Sequence, residues 1–268
     1  MAAAMTSSTP ELRMAARAMV ETDHLLGLLE VPAGDAEVTA APPVDAGKGP
    51  SVAMSPPRNG PEVDLAPVID PDVLGDEVAT KLQRLETRHA AECSHCTTST
   101  THRSVVFGEG DPHATVMFVG EAPGMEEDRI GRPFVGRAGE LLDRMIDSVG
   151  LSRDGVFIAN IIKVRPPENR TPRPDECEAC GPWLLAQVSA IRPRVVVALG
   201  ATPAKYLLQT STGITRLRGS LADIRIGSFL VPVVPTFHPA YVLRQYTPEV
   251  RRAVWEDLKQ AVGIAAGD

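Results

Sequence analysis

From about Gly75 onward, short apolar runs alternate with stretches of helical period. Four β-branched runs, Thr115–Val119, Val156–Ile161, Val195–Leu199 and Val231–Thr236, read as buried strands. Around them, apolar positions recur every three to four residues in Asp76–Ala91, Gly139–Val149, Asp175–Ile191, Thr202–Leu208 and Pro248–Val262, which predicts amphipathic helices. Apolar strands alternating with helices indicate a parallel sheet covered on both faces. The expected fold is therefore α/β, a three-layer α/β/α arrangement around a central four-stranded parallel sheet. Ligands of such sheets bind beyond the carboxyl ends of the strands, so the segments after each strand are where chemistry is expected.

The chain upstream reads differently. Residues 31–78 are rich in Pro, Ala, Gly, Asp and Val and contain no aromatic residue. Such a segment buries too little apolar surface to offset its ordering entropy, which predicts a disordered linker. Before it, Leu12, Ala15, Ala16, Met19, Val20, Leu25, Leu26 and Leu29 fall near helical period and predict a short helix over 11–30. That helix is either a nascent one without a partner or a docking segment for another protein. The organisation expected is an N-terminal extension over 1–78 and one domain over 79–268.

Charge sharpens this division. The net charge is −7, which by itself speaks against a nucleic-acid partner. Yet residues 1–78 hold 13 of the 34 acids and only 4 of the 27 Lys and Arg residues, so the domain itself is slightly basic. No run of eighteen apolar residues suggests a membrane span. The stretch MAAAMTSSTPELRM lacks the layout of a signal peptide, and the cytoplasm is the expected compartment. Four cysteines fall as two pairs, Cys93–Cys96 and Cys177–Cys180, a spacing that favours metal or cluster ligation over disulfides in such a chain.

The strand ends carry unusual residues. GEAPG follows the first strand, and GRPFVGRAG lies just beyond it. Asn160 and then Lys163-Val-Arg-Pro-Pro-Glu-Asn-Arg170 follow the second. Phe237-His-Pro-Ala-Tyr-Val-Leu-Arg244 follows the fourth. Neither a phosphate-binding Gly-x-x-x-x-Gly-Lys-Ser/Thr loop nor a dinucleotide Gly-x-Gly-x-x-Gly fingerprint is present. What remains is an amide that can match a nucleobase edge, an aromatic ring that can stack, and a histidine that can donate to a developing anion. Lys163, Arg165, Arg170 and Arg244 suit phosphates.

With GEAPG, GRPFVGRAG, NxxKxRPPxNRxP and HPAYxLR in this order, the chain resembles the family 4, thermophile-type uracil-DNA glycosylases over roughly residues 79–265. The resemblance implies that a uracil flipped from single- or double-stranded DNA is received at the strand ends. Asn160 would read it by its amide, Phe134 would stack on it, and His238 would stabilise charge at O2 as the glycosidic bond breaks. Gly120 would let backbone approach the nucleotide, Ala122 in the pocket is the small residue where other glycosylases of the superfamily place a water-orienting aspartate, and Gly124 would lie against C5 of the base. Glu121 would position the attacking water, although a glutamate there can equally cap the next helix. Val242 and Leu243 would wedge into the gap left by the flipped nucleotide, and Arg244 would hold phosphate. A monomer is expected.

The family also implies a structural 4Fe–4S cluster on four cysteines. Cys93, Cys96 and Cys180 match its positions, but Val164 stands where the third cysteine should be. Cys177, one helical turn before Cys180, is the expected replacement. The same four thiolates would suit zinc, and loss of the cluster is the third alternative. A relative that becomes covalently trapped on uracil-DNA would need a histidine after the second strand, and none occurs between His113 and His238. A binding module without catalysis, or an electron-transfer protein, would leave Asn160, Phe134 and His238 unexplained.

Overall fold

A computed structural model describes residues 62–267. Among them, in chain order, are β1 (Val63–Leu65), a 3-10 turn (Pro71–Leu74), α1 (Val78–Glu92), α2 (Ser94–Thr98), β2 (Glu109–Gly110) and β3 (Val116–Gly120). Next come α3 (Met125–Ile130), α4 (Arg137–Ser148), β4 (Phe157–Asn160), α5 (Pro174–Ile191), β5 (Val195–Leu199) and α6 (Ala201–Leu208). The chain continues through α7 (Ile214–Leu217), β6 (Ala222–Ile226), β7 (Phe229–Thr236), α8 (Pro239–Arg244) and α9 (Pro248–Ala266).

The four expected strands are β3, β4, β5 and β7. They are sheet neighbours and all parallel. The sheet nevertheless has seven strands rather than four, in the order β1-β6-β7-β5-β3-β4-β2. Each added strand lies outside the parallel core. β6 runs antiparallel to β7, β1 parallel to β6, and β2 antiparallel to β4. None of the three is a continuous apolar run: β6 alternates buried and half-buried residues, β1 has three residues and β2 two.

Residues 62–78 correct the expected linker. Val63–Leu65 pair with Ile224–Ile226, Glu62 pairs with Arg225, and Leu74 is buried in the turn that follows. The expected helix over 11–30 lies outside the described residues.

Because successive strand residues face opposite sides, the sheet builds two cores. Met117, Val119, Ala159, Val196 and Val233 pack with α1, α5 and α6. Val116, Phe118, Ile158, Val197 and Val234 pack with α4 and α9. The main helices begin where the sequence marks a start. Glu77 caps α1 through its carboxylate, Pro174 opens α5, and Thr247 followed by Pro248 opens α9.

Candidate active site and metal centre

β3 ends at Gly120 and β4 at Asn160, and the two residues are partners in register. Gly120 has no side chain for a geometric reason. A Cβ there would lie 2.3 Å from Asn160 Oδ1 and 2.6 Å from Phe134 Cζ. The ring of Phe134 in turn lies 5.7 Å from the ring of His238, tilted by 32°. Gly120, Phe134, Asn160 and His238, spread over 119 residues of sequence, thus meet at the carboxyl ends of the parallel strands.

Phe134 adopts φ +50°, a left-handed conformation that non-glycine residues rarely take and that costs on the order of 1–3 kcal/mol. The surroundings impose it. The Arg153 guanidinium donates to the carbonyl oxygens of Pro133 (2.6 Å) and Phe134 (3.0 Å), and is itself held by Glu109 and Asp143. Glu127 fastens the same turn to GEAPG. Its carboxylate accepts from the backbone N–H groups of Gly124, Val135 and Gly136 at 2.9–3.1 Å. The neighbouring acids have other work: buried Asp128 accepts from the Arg103 and Ser104 amides, and Glu126 pairs with Arg129. Arg153, Glu109 and Glu127 are the positioning residues that the sequence reading missed. Only Glu127, three residues past Gly124 at a helix start, carried a local signal, that of an N3 glutamate reaching back to the N-cap amide.

Asn160 is buried, and its Oδ1 has no hydrogen-bond partner, an uncompensated acceptor at the strand end. His238 opens α8, where its Nδ1 accepts from the Ala240 amide at 3.0 Å. That bond places the ring proton on Nε2. Burial, then the nearby Arg244 charge, hold the imidazole down to about 4, so it is a neutral donor near neutral pH. The Glu121 carboxylate accepts from the Thr202 hydroxyl at 2.5 Å, at the start of α6. Ala122 is half-buried against the first core, and Gly124 faces the Glu127 carboxylate.

The residues expected at DNA divide. Arg244 is exposed at the end of α8, and Leu243 beside it is half-buried. Val242 corrects the expected wedge: it is 2% exposed and packs in the second core. Arg165 is half-buried and donates to Asn169 Oδ1. Arg170 grips Glu176 with both arms of its fork, holding that carboxyl down to about 2, so its donors are already engaged. Lys163 is also corrected. It is fully buried, and its ammonium donates to the Asn160 carbonyl (2.8 Å) and Gln187 Oε1 (2.6 Å) above the Phe107 ring. Burial pulls the ammonium down to about 8, against the influence of the sulfurs of Cys180, Cys96 and Cys93.

Those sulfurs form a second site. Cys93 and Cys96 flank the start of α2, and Cys180 lies on α5. Their Sγ atoms and His89 Nε2 draw together. Cys96 Sγ lies 3.6 Å from Cys180 Sγ and 3.3 Å from His89 Nε2, and Cys180 Sγ lies 3.5 Å from the same nitrogen. All four ligand atoms fall within 4.8 Å of one another. Burial, then neighbouring Cys93 and Cys96, push the Cys180 thiol well above its ordinary range. Three buried thiols cannot all ionise side by side without a cation among them, so this donor set fits a metal centre. The expected replacement ligand, Cys177, is corrected. It is not among the four, and burial, then the Glu121 carboxylate, push its thiol up to about 11. One turn separates Cys177 from Cys180 along α5, and Cys177 lies outside the group formed by His89, Cys93, Cys96 and Cys180.

Comparison with known proteins agrees with this architecture. Residues 107–259 match the model of the Uracil DNA glycosylase superfamily. The chain is 44% identical over 182 residues to the type-4 uracil-DNA glycosylase of Thermotoga maritima, covering 68% of this chain and 93% of that protein. It is 41% identical over 177 residues to the type-4 uracil-DNA glycosylase of Archaeoglobus fulgidus, covering 65% of this chain and 88% of that one. It is less similar, 35% over 118 residues, to a type-5 uracil-DNA glycosylase of Thermus thermophilus, covering 38% of this chain and 53% of that protein. The chain belongs to the uracil-DNA glycosylase superfamily, as a member of its type-4 branch.

Proposed function

We propose that this protein removes uracil from DNA by hydrolysing the N-glycosidic bond, leaving an abasic site, as the opening step of base excision repair. The observation that carries the reading is the unpaired, buried Asn160 Oδ1 beside Phe134 and His238. An uncompensated buried acceptor costs about 1–3 kcal/mol. A flipped uracil relieves that cost by donating its N3–H to Oδ1, while the amide NH2 donates to O4. Gly120 leaves room for Asn160 and Phe134 to sit at the strand end, and Phe134 stacks on the base.

As the C1′–N1 bond breaks, its electron pair passes to the base and charge collects on O2. His238 Nε2–H, neutral and already oriented by the Ala240 amide, donates to that oxygen. Glu121, held by Thr202, positions the water that adds to C1′. Arg244 and Arg165 take phosphate, and Leu243 occupies the gap left in the stack. Gly124 puts no bulk at C5, so thymine is excluded less strictly than by a large side chain. The protein acts as a monomer in the cytoplasm, on single- or double-stranded DNA. Among the described residues, no helix is long and apolar enough to cross a membrane.

The metal centre is read as a structural 4Fe–4S cluster, supported by the three cysteines at the family's positions. The cluster would cross-link α1, α2 and α5. Every chemical step at the base is carried by side chains.

The test is excision from a labelled uracil-containing oligonucleotide by wild type, Asn160→Ala and His238→Ala. Alkali-labile abasic sites that fall at least 100-fold in both variants are the expected result. Folded wild-type protein that releases no uracil would refute the reading.

A further inference from the structure

The missing family cysteine leaves a vacancy in the donor set that the sequence alone assigned to Cys177. We infer that His89 is the fourth ligand of the metal centre, through Nε2, and that Cys177 is not a ligand. This rests on the proposed metal centre and is independent of the glycosylase activity.

Three observations converge on His89. It is fully buried on α1, one helical turn before Cys93, so one helix delivers both groups to the same place. Its Nε2 is 3.3 and 3.5 Å from two of the three sulfurs, while its Nδ1 has no hydrogen-bond partner, so nothing else claims the imidazole. Finally, Val164, where the family's third cysteine is due, is a fully buried core residue with no ligand to offer. The spacing His89-x-x-x-Cys93-x-x-Cys96, completed by Cys180 from across α5, thus makes a Cys3His set.

The three contacts among Cys96, Cys180 and His89 also resemble one face of a tetrahedron around a single ion. Bonds of roughly 2.3 Å to sulfur and 2.0–2.1 Å to nitrogen, as at zinc, place neighbouring ligand atoms about 3.5–3.8 Å apart. A four-iron cube needs its ligand atoms spread farther. Either centre uses the same four residues, and metal analysis separates the two. Exchange of a thiolate for a neutral imidazole also makes an iron–sulfur centre one charge more positive, which raises its reduction potential.

The experiment uses the full chain, purified anaerobically as wild type, His89→Ala, His89→Cys and Cys177→Ser. Iron, acid-labile sulfide and zinc are counted per chain, and visible absorption and electron paramagnetic resonance are recorded. Cys177→Ser is expected to match wild type in content and spectrum. His89→Ala is expected to lose most of its metal, and His89→Cys to keep it with a shifted spectrum and, for an iron–sulfur centre, a lower reduction potential. Should His89→Ala fail to fold, His89→Cys and Cys177→Ser still decide. An unchanged His89→Cys spectrum, or metal loss on Cys177→Ser, overturns the assignment. Wild type carrying one zinc and no sulfide would overturn the cluster while leaving the His89 ligand standing. Wild type binding neither metal would overturn both.

Discussion

A methyl group added at Gly120 would meet Asn160 Oδ1 at 2.3 Å and two atoms of the Phe134 ring at 2.6 and 2.7 Å. Both side chains would have to move, and both belong to the proposed base pocket. Overpacking of this kind costs about 1–3 kcal/mol of stability, whereas displacing a binding group by an ångström can cost about 100-fold in rate. Gly120→Ala is therefore expected to melt only a few degrees lower yet lose about two orders of magnitude in single-turnover excision; a wild-type rate would remove Gly120 from the pocket wall. His238 yields a prediction in pH. Its imidazole is held down to about 4, so between pH 4 and its ordinary value near 6.5 the folded chain binds fewer protons than the unfolded one. Its contribution to stability is whole above pH 6.5, shrinks as the pH falls, and is lost through pH 4. Protonation also puts a proton on Nδ1, against the Ala240 amide. A nitrogen NMR titration should place the ring midpoint near 4; a midpoint at 6.5 would show an imidazole in free contact with water.

The segment after β4 shows how far an element can be read from its letters. Asn160, Lys163, Arg165 and Arg170 look alike in sequence as polar residues of one strand-end loop, and the loop sends them in different directions. Asn160 reaches the strand-end pocket, Arg170 is taken by Glu176, and Lys163 turns into the core to bind the Asn160 carbonyl and Gln187. The four central strands were legible because long apolar runs announce buried parallel strands. The inward turn of Lys163 was not, because it depends on Gln187, 24 residues away in sequence, and on Phe107 beneath it. The site divides likewise: motif residues gave Phe134, Asn160 and His238, while Arg153 and Glu109, which hold the Phe134 turn, come from other elements and carry no pattern of their own. The two kinds of basic residue separate in salt. Arg244→Ala should flatten the dependence of log Kd for DNA on log salt by about one phosphate contact. Lys163→Met should leave that slope unchanged and lower the melting temperature, since it strips the Asn160 carbonyl of a buried donor. Equal slopes in the wild type and Arg244→Ala would take Arg244 off the phosphate. The Phe134 turn is tested in the same spirit. Arg153→Met removes both donors to the Pro133 and Phe134 carbonyls, and should lower kcat/KM by about 10- to 100-fold as the strained turn relaxes. Unchanged kcat/KM would mean that Glu127 holds the turn without it.

For the molecule as a whole, composition placed the start of the domain at residue 79, because residues 31–78 lack the aromatic and long apolar runs that make a core. The fold begins earlier because a sheet edge needs little: three residues with alternate side chains turned inward. Val63, Leu65 and Ile69 pack partly against the first core and Leu74 is buried there. The edge also satisfies the outer hydrogen-bonding groups of β6, which would otherwise be an open template for pairing with another chain. Burying one large aliphatic side chain stabilises by about 1.5–3 kcal/mol. One full and three partial burials therefore amount to roughly 3–5 kcal/mol, which in a domain of this size shifts the melting temperature by about 10 °C. A chain begun at residue 79 should melt about that much lower than one begun at residue 62, and should self-associate at concentrations where the longer one stays monodisperse in light scattering. Its excision rate below the melting transition should be unchanged, because β1 lies four places from β3 and five from β4, the strands that carry Gly120 and Asn160. Equal melting temperatures would mean that β1 rests on the sheet without stabilising it, and that the domain does begin where its composition changes.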